Sequence, residues 1–98
     1  MDMVNGVVSI DILGGLYNMS NFYNKIRGGE IHPIGVKCLS NWGGLVIYEI
    51  NNDTCISGFD YGNGVQGLRE TSIHYSYSGR PYIIRYQKAY YFDEIERV

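Results

Sequence analysis

At 98 residues, with ten acidic and eight basic side chains and a formal charge of −2, the chain has the length of one small domain and lacks the basic excess needed to grip duplex DNA by its phosphates. The apolar share of 45 % against 18 % charged residues excludes the composition of a disordered chain. No apolar run approaches the roughly 20 residues of a membrane-spanning helix, and Met1-Asp2-Met3 lacks the basic and apolar stretches of a signal peptide, so a cytoplasmic protein with no membrane partner is expected.

Val8, Ile10 and Ile12 alternate with Ser9 and Asp11, which predicts a strand over 7–13 that Gly14-Gly15 stops. Met19, Phe22, Tyr23 and Ile26 then fall at i, i+3, i+4 and i+7. That spacing predicts one short helix over 19–27, with Asn18 as its cap and Gly28-Gly29 as its end. Beyond Pro33 the run 34–39 reads as extended, and Asn41-Trp42-Gly43-Gly44 turns the chain. The most hydrophobic run, 45–50, is expected to be a central strand. Asn51 to Thr54 forms a turn before a further strand near 55–59, and 60–67 reads as loop.

The C-terminal third carries a hairpin signal, with Ser78-Gly79 between two alternating runs, 71–77 and 80–86. A two-residue turn there would set Tyr77 opposite Arg80, Tyr75 opposite Tyr82, Ile73 opposite Ile84 and Thr71 opposite Tyr86, all on one side of the sheet. Ser72, His74, Ser76 and Arg85 would occupy the other. A second turn at Gln87-Lys88 returns the chain through 89–92 to a charged tail, expected to fray or form one helical turn. Ten tyrosines and thirteen glycines suit pleated surfaces and tight turns. The fold class is therefore α+β: a small, mainly antiparallel twisted sheet of five to seven strands with a C-terminal meander and one short helix, in a single domain spanning 1–98.

Gly62-Asn63-Gly64-Val65-Gln66-Gly67 matches the glycine pattern of dinucleotide-binding loops, but it leads into an alternating strand pattern rather than a helix. A plain loop is the simpler reading, and a turn whose backbone amides meet an anion is the alternative. His32, Cys38, Cys55 and His74 have no paired spacing, so neither a metal nor any other cofactor is expected. Cys38 and Cys55 are read as reduced thiols, and the sequons at Asn18 and Asn52 as unmodified. A Cys–His74 pair with Asp60 or Glu70 has the residue types of a nucleophilic site, yet no family signature frames it. Asp93, Glu94 and Glu96 lie in the charged tail. A non-enzymatic protein is expected.

The candidate binding residues are Tyr75, Tyr77, Arg80, Tyr82 and Tyr86 as an aromatic platform, Trp42 as a displayed anchor, and Gly62 and Gly64 as a backbone-lined loop. The same tyrosines also suit a sheet core. In composition, a small chain rich in Asn, Ile and Tyr resembles phage or mobile-element accessory proteins that block host enzymes or defences. The expectation is a binding or inhibitor protein of anti-defence type that sequesters a small nucleotide-like ligand or blocks a host protein, with homo-oligomerisation open to it. The alternatives are a single-stranded nucleic-acid binder that stacks bases on tyrosine and a small enzyme using scattered Cys and His.

Overall fold

The computed structural model describes residues 19–98. The expected strand over 7–13, its glycine stop and the Asn18 cap lie outside the described residues. The protein is a small α+β fold with a mainly antiparallel five-stranded sheet, a second three-stranded sheet and one short helix. The chain divides into two units, Met1–His32 and Pro33–Val98.

In the first unit, helix α1 spans Met19–Arg27. Phe22 is buried, and Met19, Tyr23 and Ile26 are less exposed than the Ser20, Asn21, Asn24 and Lys25 side. Gly29 ends the helix at φ 80°, donating to the Ile26 carbonyl at 3.1 Å, while Glu30 donates to the Lys25 carbonyl at 2.8 Å. This paired closure needs a left-handed residue, which glycine supplies without a Cβ clash.

The second unit holds all eight strands among the described residues: β1 Gly35–Ser40, β2 Gly43–Asn51, β3 Thr54–Asp60, β4 Val65–Ser72, β5 His74–Tyr75, β6 Pro81–Arg85, β7 Lys88–Tyr91 and β8 Glu96–Arg97. The larger sheet has the order β4-β3-β2-β1-β8, so the hydrophobic run expected to be central is central. The smaller sheet, β5-β6-β7, is a meander. The chain changes sheets at Ile73, whose N–H donates to the Asp53 carbonyl at 2.7 Å. Leu45, Ile47, Cys55, Phe59, Ile73, Ile83 and Tyr90 form the core cluster, with Leu39, Phe92 and Ile95 packed against it. Val46, Tyr48, Ile56 and Leu68 are also buried, so β2 hides side chains of both parities. The tail ends in a 3-10 turn, Phe92–Glu94, and in β8, which pairs with β1.

The C-terminal register differs from the sequence reading by one residue. The loop is three residues, Tyr77-Ser78-Gly79, because Ser76 N–H donates to the Arg80 carbonyl at 2.9 Å and Gly79 takes φ 87°. A three-residue loop with its last residue left-handed is the next commonest hairpin closure after the two-residue turns. His74 therefore faces Tyr82 and Tyr75 faces Pro81. The following turn is Tyr86-Gln87, one residue earlier than expected, since Arg85 pairs with Lys88. Strand β4 likewise begins at Val65, inside the stretch read as loop.

Candidate functional site

The register shift inverts the hairpin. Ile83, Arg85 and Tyr90 are buried, while Ile84 stands outside. Of the five residues proposed as one platform, Tyr82 and Arg80 stay together, both against Tyr91, and the other three lie elsewhere. Tyr82 lies on the outer face in a ladder with His74 (ring centroids 5.4 Å apart) and Tyr91 (5.0 Å). Arg80 stacks on Tyr91 at 4.0 Å, and its guanidinium pairs with Asp93 at 2.7 Å and reaches Glu94 at 3.4 Å. Its charge is already met by two carboxylates. Tyr75 is exposed on the opposite side of β5, and Tyr77 is exposed at the loop tip. Trp42 is 77 % exposed in the β1–β2 turn.

Tyr86 has a different setting. It opens the β6–β7 turn with φ 51°, followed by Gln87 at 64°, a left-handed pair normally left to Asn and Gly. Its ring leans on Phe59 at 5.3 Å, and Phe59 lies parallel to Tyr61 at 6.4 Å and 3°. These residues border a cleft of about 430 Å³, within the range of small-molecule sites. Leu39 from β1 and Tyr90 from β7 contribute to it. The remainder is the glycine segment, with Asn63, Gly64, Gln66 and Gly67 all lining the cleft.

The glycines shape this wall. Asp60 Oδ1 accepts the Gly62 N–H at 2.8 Å, which anchors the loop, and Gly62 and Gly64 take φ values of 104° and 101°. Gly67, at φ 65°, occupies a bulge where the β3–β4 register slips between Ser57 and Phe59. A left-handed glycine is the residue such a bulge uses, and it turns the strand edge into the cleft. No helix follows the glycine segment, so it is a cleft wall within a sheet rather than a pyrophosphate loop.

Arg85, which the hairpin count placed opposite the tyrosines, is 3 % exposed. It donates to the Ser57 carbonyl and hydroxyl at 2.9 and 2.8 Å and to the Gly67 carbonyl at 2.7 Å. It also lies 5.2 Å from the Phe59 centroid and 5.3 Å from that of Tyr86. Burial and then the charge of Arg69 make its proton easier to lose than an ordinary guanidinium's, with Tyr86 opposing. Burial and then nearby Tyr61 raise the Tyr90 hydroxyl above its ordinary range, and Arg85 partly offsets this. The cleft is thus walled by aromatic faces, neutral amides and backbone, with a cation behind it.

Among the described residues no three His, Cys, Asp or Glu side chains cluster as metal ligands, and no helix is long and apolar enough to cross a membrane. Cys55 is buried, its thiol pushed up to about 12 chiefly by burial, whereas His74 lies on the outer aromatic ladder. Of the two cysteines considered beside His74, Cys55 is thus enclosed in the core, and Cys38 is exposed on β1.

Of the sequence-chosen residues, Tyr86 and Gly64 line the cleft and Gly62 shapes its loop. Phe59, Tyr61, Gln66, Gly67, Tyr90 and Arg85 went unselected. The adjacency Tyr61-Gly62-Asn63-Gly64 was the available signal for Tyr61, and no local pattern marks Arg85. No protein-family model matches the chain, and no curated protein or solved structure matches it.

Proposed function

We propose that the protein is a non-enzymatic binder that sequesters a small planar-ring ligand of nucleotide-like character in the cleft beside Tyr61, Gly64 and Tyr86. The observation carrying this reading is the composition of the cleft: about 430 Å³ lined by Phe59, three tyrosines, two carboxamides and glycine backbone. Aromatic faces stack a flat ring of any sequence identity, and amide and phenol groups satisfy its polar edge. The only titratable side chains lining the cleft are the phenols of Tyr61, Tyr86 and Tyr90, whose hydroxyls suit hydrogen bonding to a ligand's polar edge. Sequestration of this kind is the mode of action expected of a phage or mobile-element accessory protein in the cytoplasm. Blocking a host protein is the second reading, and the exposed Trp42 at a turn tip favours it. For single-stranded nucleic acid, the outer ladder is the relevant surface, but the carboxylates on Arg80 argue against a phosphate there.

Native mass spectrometry of protein purified from its expression host, followed by denaturation, tests the proposal. The expected result is a ring-containing small molecule that is released on unfolding and missing from the Tyr61→Ala protein. A bare wild-type protein whose melting temperature is unmoved by nucleobases, nucleosides and nucleotides would overturn it.

A further inference from the structure

Arg85 is buried, yet its guanidinium meets only neutral partners: the Ser57 carbonyl and hydroxyl, the Gly67 carbonyl and the Tyr86 side chain. Among the described residues no carboxylate is ion-paired with it or with Arg69. Arg69 pairs across the ladder with Ser57, so its side chain leaves the larger sheet on the Ser57 side, where Arg85 is bound, and it is exposed. A buried cation without a counter-ion is costly, and a second cation nearby adds to the cost. The nearest acid on the glycine loop, Asp60, pairs with Gly44 next to the Leu45–Phe59 pair, which sends its side chain to the opposite face, where it holds Gly62.

Gly67 connects this charge to the cleft. It lines the cleft, and a Cβ built on it would lie 3.3 Å from the Tyr86 hydroxyl oxygen and 3.5 Å from an Arg85 terminal nitrogen. The guanidinium is therefore one contact behind the cleft surface.

We infer that the ligand is phosphorylated, a nucleoside phosphate rather than a free nucleoside. Its ring stacks at the Tyr61 end, its phosphate lies at the Gly67 end against Arg69, and Arg85 supplies a fixed positive field from beneath. This rests on the ring-binding reading above and names the ligand class of the same cleft. Arg69 donates directly because its fork matches phosphate oxygens, whereas Arg85 is held by its protein partners and acts through space.

Isothermal titration of the four common nucleosides and their 5′-monophosphates at low salt separates the two ideas. For wild type, the best monophosphate is expected to bind about tenfold or more tightly than its nucleoside, the scale of one charge-assisted hydrogen bond. Arg69→Gln, at an exposed position, should erase that difference while leaving nucleoside binding and the melting temperature unchanged. Equal affinities for nucleoside and monophosphate in wild type, or a difference that persists in Arg69→Gln, would overturn the phosphate assignment and leave the ring site standing. No binding by any of the eight compounds would remove both.

Discussion

Individual side chains here behave according to what surrounds them rather than to residue type. The two cysteines are the simplest case: Cys38 is exposed and Cys55 buried, with burial pushing the Cys55 thiol up to about 12. Because the thiolate is the reactive form, iodoacetamide at neutral pH should add one carbamidomethyl group to the native protein and two in urea, counted by intact mass. A single native adduct on Cys55 would contradict this placement. Asp93 gives a pH-dependent counterpart. The bidentate hydrogen bonds from Arg80, 2.7 and 2.8 Å long, hold its carboxyl below the ordinary 3.8. A depressed folded-state value means the contribution is complete above 3.8 and is lost as pH falls through the lower value in the fold. Urea midpoints of wild type and Asp93→Asn should therefore differ at pH 7 and converge as the pH falls below the ordinary carboxylate value. The difference should be small, since both partners are exposed.

At the scale of elements, turns decide what the strands present. The Tyr86-Gln87 turn keeps two side-chain-bearing residues at positive φ, an arrangement that persists only when neighbouring structure holds it. Tyr86 is held by Phe59 and Arg85, while Gln87 is exposed. Gln87→Gly should thus stabilise the protein by roughly 0.5–1 kcal/mol in urea melts, the cost of a left-handed non-glycine residue. A loss of stability would place that residue in an interaction of its own. The Tyr77-Ser78-Gly79 loop has the opposite lesson, for its one additional residue moves the partner of every position in β6 by one. The inversion can be weighed directly. Ile83 is 0 % exposed and Ile84 46 %, so Ile83→Ala should cost roughly 2–5 kcal/mol and Ile84→Ala less than about 1. Equal costs would contradict the register, and the reverse order would restore the two-residue turn.

For the whole molecule, the cleft assembles from places far apart in the chain: Leu39, the end of β3, the β4 bulge, the Tyr86 turn and Tyr90. Arg85 ties these together, bridging from β6 to Ser57 in β3 and Gly67 in β4. Much of the architecture was legible beforehand because it is written in short-range patterns. The stripe Met19, Phe22, Tyr23, Ile26 with its glycine end specifies α1, extended or apolar runs bounded by turn residues mark β1, β2 and β3, and alternation marks the C-terminal meander. These signals involve residues within a few positions of each other, so the sequence by itself determined them. Which face each strand buries was decided by tertiary structure alone. A strand repeats every two residues, so one added loop residue exchanges its two faces, and the chain tolerates either loop length locally. That exchange put Ile83 and Arg85 inside, parted Tyr75 and Tyr77 from Tyr82 and Arg80, and left Tyr86 at the cleft. Ring walls, glycine backbone and buried cation meet only once both sheets have paired, because their nearness depends on contacts between residues that no short-range pattern connects.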